Sequence, residues 1–172
     1  MRTIEVIPHN PAWAQLFTLE AHLLQPVFAE NLVNIYHIGS TAIPGIHAKP
    51  VIDILPVVND IEAVDALNPQ MEALGYHPKG EYGIPGRRYF FKQGVSDHSH
   101  HVHVFQHGNP EIKRHLNFCA YLRAHPEDAQ TYSQLKLALS RQFPHDIDRY
   151  TEGKSDLIHT LDERAQKWAE IQ

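Results

Sequence analysis

The chain has 172 residues and a mass of 19.7 kDa, so we expect one domain covering residues 1–172. Its hydrophobic content of 42% and charged content of 20% are ordinary for a globular protein and exclude a disordered or fibrous chain. The 15 Lys and Arg against 20 Asp and Glu give a formal net charge of -5, which excludes a global basic field for long nucleic acid, so any phosphate must be bound locally.

Cys119 is the only cysteine, so the sequence excludes an internal disulfide, and its helical spacing predicts inert core rather than a nucleophile. The N-terminal residues carry Glu5 and two prolines and lack the apolar stretch of a signal peptide. No segment approaches the roughly 18 consecutive apolar residues of a membrane span. We therefore expect a cytoplasmic protein that does not bind a membrane.

The first half of the chain predicts three strands and two helices. Branched and aromatic residues predict the strands, which lie at residues 4–7, 32–38 and 51–58. Helical periodicity predicts one helix from Pro11 to about Phe28 and another that Asp60 caps. We expect Pro69 to kink the second helix and Gly75 to end it.

The second half changes from strands to helices. The predicted strands lie at residues 76–82, 88–92 and 100–105, and glycine-rich loops join them. Amphipathic segments that Pro or Gly begins or breaks predict helices at residues 110–124, 126–142 and 153–171. Strands in the middle and helices at the end predict an α+β fold, with helices on one face or at one end of a mixed sheet.

The segment from His37 to Gly45 is a predicted strand running into a Gly39-Ser40 turn. A phosphate needs backbone N–H groups that point at it without a Cβ in the way, and a glycine followed by a small hydroxyl residue provides them. Ser40 adds a hydroxyl donor. The alternative is an ordinary turn, because short glycine motifs are weak evidence.

Asp53 is a lone carboxylate in an otherwise apolar strand. Burying an unpaired carboxylate costs several kcal/mol unless it is paired, bound to a metal or exposed at an edge. We therefore expect Asp53 to face a functional site. The alternative is a structural salt bridge, for example with Lys49.

Histidines cluster in the predicted strand near residue 101. Alternate side chains of a strand share a face, so His101 and His103 point one way while Val102 and Val104 point the other. Imidazole suits Zn, Mn, Fe, Ni or Cu better than Mg, so this pair and a neighbouring carboxylate predict a divalent metal site. The alternative is a solvated sheet face with incidental histidines.

A loop at residues 83–90 places Arg87 and Arg88 at the start of a strand. Guanidinium groups match the geometry of phosphate, so one of the two arginines is a candidate clamp for an anionic substrate. Successive strand residues diverge, so only one of them is expected to face a site. The alternative is a solvated basic turn.

Taken together, these segments resemble the GrpB family, a group of small proteins placed within the nucleotidyltransferase superfamily. The resemblance extends over nearly the whole chain. The segments that carry it are His37 to Gly45, Ala48 to Ile54, Gly83 to Arg87, His101 to Val104, Tyr121 to Glu127, Tyr132 to Lys136 and Tyr150 to Lys154. It implies a nucleotidyltransferase-like mixed β-sheet flanked by helices, with a helical C-terminal third.

In that superfamily the Gly-Ser turn holds the phosphates of a nucleotide, and carboxylates spaced Asp-x-Asp on the following strand bind divalent metal. Here Gly39 and Ser40 match the turn, and Asp53 matches one carboxylate. The second carboxylate is missing, because Val51 and Leu55 occupy the positions two residues either side of Asp53. A paired Mg²⁺ site, and the two-metal mechanism that needs it, is therefore not expected from this strand.

We hypothesise that His101 and His103 complete a single site with Asp53 for a divalent ion, either Zn, Mn or Mg. The resemblance implies transfer of a nucleotidyl group from a nucleoside triphosphate to an unknown acceptor, with Asp53 and Lys49 as catalytic residues. The expected residues for substrate binding are Gly39, Ser40, Thr41 and Arg87.

Two other functions remain open at this point. One is a binding or sensing protein that holds a nucleotide or another small phosphorylated ligand without turnover, which the missing carboxylate favours. The other is a metal-dependent phosphohydrolase, in which the metal activates water.

Overall fold

The computed structural model of the chain describes residues 2–172. The described residues form one five-stranded mixed sheet with the strand order β1-β2-β5-β4-β3. Its strands are β1 (Leu32–Ile38), β2 (Ile52–Val58), β3 (Tyr76–Pro78), β4 (Arg87–Gln93) and β5 (His98–Gln106). Strands β2 and β5 are parallel, and the other neighbours are antiparallel.

Five α-helices surround this sheet in the described part of the chain. They are α1 (Ala12–Phe28), α2 (Asn68–Ala73), α3 (Pro110–Ala124), α4 (Pro126–Gln142) and α5 (Ile147–Glu170). Short 3₁₀ helices occur at Ala29–Asn31, Ser40–Ala42 and Glu62–Leu67. The predicted α+β fold with a mixed sheet and a helical C-terminal third is confirmed. No helix within residues 2–172 is long and apolar enough to cross a bilayer.

Both faces of the sheet are covered, and the alternation along β2 assigns its residues to the two faces. Ile52 and Ile54 belong to a core shared with α1 and α2. Leu55 and Val57 belong to a second core, shared with α3, α4 and α5. Because strand residues alternate, Asp53 points to the same face as Leu55. The candidate site therefore lies between the sheet and the three C-terminal helices.

The structure differs from the sequence prediction in two of the early elements. The weak edge strand at residues 4–7 is reduced to a single antiparallel bridge between Ile7 and Ala48. The predicted helix at residues 61–74 is divided into a 3₁₀ segment and α2. Pro69 lies in the first turn of α2, where its missing N–H is no loss, so it begins a helix rather than kinking one.

Two later elements also differ in their bounds. Strand β3 ends at Pro78 instead of continuing to Tyr82, which has a positive φ of 48° in the following loop. Helix α5 begins at Ile147, not at Gly153, and Asp146 caps it by accepting a hydrogen bond from Arg149 N. Gly153 therefore lies inside the helix.

Gly153 has a packing role within α5 rather than a role as a helix breaker. A Cβ added at this position would lie 2.5 Å from Cδ2 of Leu139 on α4. The absence of a side chain lets the two helices approach closely at this position. A glycine in a helix interior is less favourable than alanine, and this close contact accounts for it.

Candidate active site

The register of two parallel strands brings the three predicted metal ligands together. Asp53 on β2 lies opposite His101 on β5, and both side chains point towards the C-terminal helices. Asp53 Oδ1 lies 3.0 Å from His103 Nε2 and 3.3 Å from His101 Nδ1. Residues from two distant parts of the chain thus converge on a single carboxylate oxygen.

The contact made by Nδ1 of His103 determines which of the two ring nitrogens carries the proton. Arg87 Nη1 lies 3.3 Å from His103 Nδ1, and a guanidinium can only donate, so Nδ1 accepts. The proton of a neutral His103 is then on Nε2, which donates to Asp53 Oδ1. Binding of a metal at Nε2 requires that proton to leave and the contact between Arg87 and His103 to open.

His101 is supported by a third histidine. Its Nε2 lies 2.9 Å from Nδ1 of His98, whose ring stacks on Phe91 with the centroids 4.2 Å apart. Burial and, to a smaller extent, the neighbouring His101 lower the pKa of His98 to about 4, so His98 is neutral at physiological pH. A hydrogen bond to the second nitrogen of a metal-binding histidine fixes its ring, and His98 supplies that bond.

Asp53 is ionised throughout the physiological range. Burial alone would raise the pKa of its carboxyl, but the hydrogen bonds and charges of His101 and His103 outweigh burial and hold the pKa well below its usual range. The side chain is still 25% exposed, so one side of the carboxylate is open to a ligand.

These three side chains fit a single divalent ion. Their donor atoms, one oxygen and two nitrogens, all lie within 4.8 Å of one another. The two separations that meet at Asp53 Oδ1, 3.0 and 3.3 Å, are near the donor–donor distance of about 3.3 Å that a tetrahedral site with bonds of about 2.0 Å requires. Two imidazoles and one carboxylate are typical of Zn²⁺ or Mn²⁺ sites.

Gly39 must be a glycine for two reasons. Its φ of 73° lies in the region that residues with a Cβ rarely adopt. A Cβ built on it would lie 2.6 Å from Asp53 Oδ2. The turn therefore passes directly over the carboxylate, and only a glycine leaves room for it.

The turn that follows Gly39 is anchored through Thr41. The Thr41 hydroxyl accepts from His37 Nε2 at 2.9 Å and donates to the carbonyl of Val51 at 3.4 Å. The first amide bonded within the turn is that of Ala42, which donates to Gly39 O. The preceding amides of Ser40 and Thr41 therefore have no acceptor within this turn.

A pocket of about 230 Å³ adjoins Asp53 and is lined by three lysines. They are Lys49 from the loop before β2, Lys136 on α4 and Lys154 on α5. The ammonium group of Lys136 is buried, with the residue 2% exposed, and has no hydrogen-bond partner. It lies 4.4 Å from the centroid of the Tyr132 ring, and Lys154 Nζ lies 4.8 Å from that of Tyr150.

The pKa values of the three lysines in this pocket are lower than that of an exposed lysine. Burial and, to a smaller extent, the nearby charges of Lys154 and Lys49 lower the pKa of Lys136 to about 6. Burial and the charge of Lys49 lower the pKa of Lys154 to about 8. A pocket in which three lysines lie close together, and the buried one has no acceptor, is suited to an anionic ligand.

The structure gathers most of the predicted site residues in or beside this pocket. Those that line it are Ser40, Thr41, Lys49, Asp53 and His101, while His103 contacts Asp53 from outside the lining. Arg87 does not line the pocket. Its guanidinium donates to the carbonyls of Glu81 and Tyr82 and to His103.

Sequence reasoning assigned no role to Lys136 and Lys154. The signal that identifies them is a repeated Tyr-x-x-x-Lys spacing, at 132–136 and at 150–154. Residues four apart share a face of a helix, so each spacing places an aromatic ring beside an ammonium group.

Replacing Lys136 by methionine is expected to stabilise the ligand-free protein. The substitution keeps the length of the side chain and removes a buried amine without a partner, which costs roughly 1–3 kcal/mol. At about 2–4 °C per kcal/mol, the melting temperature measured by calorimetry rises by several degrees. Lys167→Met, at an exposed site on α5, is the control and leaves it unchanged. A lower melting temperature for Lys136→Met would contradict the assignment of an unpaired amine.

The same lysine predicts how stability depends on pH. Its pKa is 10.5 in the unfolded chain and about 6 in the folded protein, so the unfolded state binds more protons between these values. The free energy of unfolding therefore rises with pH across this window. Urea denaturation at a series of pH values is expected to show the deficit of the wild type against Lys136→Met shrinking from pH 6 upwards. A constant deficit would show that Lys136 titrates normally.

The chain resembles known proteins over almost its whole length. The family described as GrpB protein matches residues 3–164. UPF0157 protein YqkA of Bacillus subtilis is 49% identical over 167 residues, which are 97% of this chain and 48% of that protein. The chain thus spans about half the length of that relative.

Solved structures agree with this match. The crystal structure of conserved protein GrpB from Enterococcus faecalis has a TM-score of 0.92 and 42% sequence identity, covering 96% of this chain and 99% of that one. Terminal uridylyl transferase 4 from Trypanosoma brucei with bound dUTP has a TM-score of 0.55 and 12% identity, covering 92% of this chain and 56% of that one. The second likeness is one of fold, and the fold is nucleotidyltransferase-like.

Proposed function

The chain belongs to the GrpB family, and from this premise and its pocket we propose that it is a metal-dependent nucleotidyltransferase. It would transfer a nucleotidyl group from a nucleoside triphosphate to an acceptor. The observation that carries the proposal is one pocket in which an ionised carboxylate with two histidines adjoins three lysines, one of them buried without a partner. Such a pocket provides for both a cation and a polyanion.

In this proposal the three lysines and the turn after Gly39 both bind the phosphate chain. Lys49, Lys136 and Lys154 offer ammonium groups, and Ser40 and Thr41, which line the same pocket, offer backbone N–H groups. When the bond to pyrophosphate breaks, negative charge grows on the leaving group. Lysines already fixed around that position stabilise the charge without reorganisation, which is the largest single contribution in many enzymes.

The metal ion would be held by Asp53, His101 and His103. A divalent ion held there would supply Lewis-acid polarisation of a phosphoryl oxygen. Arg87 positions the ring of His103 through Nδ1 only in the metal-free protein, because this contact opens when a metal binds Nε2. Strand β2 offers a single carboxylate at this site, with Val51 and Leu55 beside it, so the proposal uses one metal rather than two.

A second candidate is a protein that binds a small phosphorylated ligand without turnover. Two observations favour it. Strand β2 lacks the second carboxylate, and the Nε2 proton of His103 already bonds to Asp53. This candidate uses the same lysines and turn, but predicts binding without any product.

An assay for released pyrophosphate distinguishes nucleotidyl transfer from binding without turnover and from hydrolysis. Purified protein is incubated with each nucleoside triphosphate and Mg²⁺, Mn²⁺ or Zn²⁺, with and without a deproteinised extract of small metabolites as the source of acceptor. Nucleotidyl transfer predicts pyrophosphate only when triphosphate, metal and extract are all present. Binding without any release supports the second candidate, and release of inorganic phosphate without acceptor indicates a hydrolase.

A further inference from the structure

Without a hydrogen bond to any of them, Lys136 shares its pocket with titratable groups of several elements. These are Tyr132 on α4, Tyr150 and Lys154 on α5, Lys49 before β2, Asp53 on β2 and His101 on β5. The carboxylate of Asp53 is the negative charge of this pocket, and it already contacts two histidines. Lys136 Nζ itself has no acceptor within hydrogen-bond distance.

Three ammonium groups cannot all remain charged at low cost in a pocket of about 230 Å³ unless an anion joins them. Burial and like charges both disfavour the protonated form, and the most deeply buried lysine without an acceptor loses its proton first. Lys136 is that residue, at 2% exposure. The lowering of its pKa to about 6 agrees with this geometry.

We infer that Lys136 is an uncharged amine in the ligand-free protein and takes up a proton from solvent when a multiply charged phosphate chain binds. The inference rests on the proposed function and deepens it by naming how the site selects its ligand. A single negative charge is met by Lys49 and Lys154. A chain with several charges gains a third ammonium group as well, so the pocket favours diphosphate and triphosphate groups over monovalent anions.

The test is isothermal titration calorimetry with sodium pyrophosphate and metal-free protein at pH 7.5. The titration is repeated in buffers of different ionisation enthalpy, since the slope of heat against that enthalpy counts the protons taken up. Lys136→Arg is the matched variant, because an arginine stays protonated in either state. We expect the wild type to take up about one proton more than Lys136→Arg. Uptake by Lys154 and by pyrophosphate is common to both proteins and cancels in the difference.

Lys136→Met provides a second variant in case the larger guanidinium does not fit. It is expected to bind pyrophosphate more weakly, with a proton count lower than that of the wild type by about one. Lys167→Met is the control and matches the wild type. Equal counts in the wild type and both Lys136 variants would overturn the inference while leaving the phosphate pocket intact. A wild type that does not bind pyrophosphate at all would overturn both.

Discussion

Asp53→Asn is expected to abolish metal binding at the pocket and, with it, any metal-dependent binding of a nucleoside triphosphate. Asp53 Oδ1 is the atom on which His101 and His103 converge, and its low pKa makes it a carboxylate at every physiological pH. Loss of groups that merely support a metal ligand costs about 10–100-fold in affinity, so loss of the charged ligand is expected to cost at least about 100-fold. Equilibrium dialysis with Mn²⁺ or Zn²⁺ measures this directly.

The control for this variant is Asp156→Asn, which removes an exposed carboxylate from α5. It is expected to bind metal as the wild type does. In Asp53→Asn the carbonyl oxygen of the new amide can still accept from His103, so the fold of the variant is retained and a loss of metal reports on the site. Full metal affinity in Asp53→Asn would place the ion elsewhere in the protein.

Gly39→Ala is expected to destabilise the protein and to disable the site together. A residue with a Cβ at a φ of 73° costs roughly 1–2 kcal/mol. The new methyl group would also lie 2.6 Å from Asp53 Oδ2, and overpacking of this kind costs typically about 1–3 kcal/mol more. We expect a melting temperature lower by roughly 4–20 °C and a metal affinity reduced along with it.

Gly45→Ala separates the cost of a side chain at positive φ from the cost of the close contact with Asp53. Gly45 also has a positive φ, 84°, but a Cβ there would have nothing within 4 Å. The Gly45→Ala variant is therefore expected to lose only the stability that the positive φ costs, and to keep its metal affinity. If both variants lost stability equally and both bound metal, the close approach of the turn to Asp53 would have no part in the site.

Local signals predict a large part of the fold. The bounds of β1, α3 and α4 coincide with the predicted ones, because a glycine follows β1 and a proline begins each of these helices. Alternation along β5 also places His101 and His103 on one face. These features depend on neighbours in the sequence, which is what periodicity and capping report.

The features of the fold and the site that local signals do not predict depend on contacts between residues distant in the sequence. Nothing near Lys136 in the sequence indicates that its face of α4 meets the turn after β1, so its place in the pocket depends on packing. Gly153 reads locally as a helix breaker, whereas its contact with Leu139 explains its position inside α5. Arg87 is a candidate phosphate clamp by residue type, yet the backbone carbonyls of its own loop and His103 take its donors.

The most direct measurement of the central claim is a thermal-shift panel of nucleoside triphosphates on metal-stripped protein, each with and without Mg²⁺, Mn²⁺ or Zn²⁺. A ligand at about 100 times its Kd adds about 2.7 kcal/mol, which corresponds to roughly 5–10 °C here. The account predicts a rise with triphosphate that metal enlarges, and it predicts that Asp53→Asn abolishes this enlargement by metal. A rise with metal alone, to which no triphosphate adds, would contradict the nucleotidyltransferase proposal.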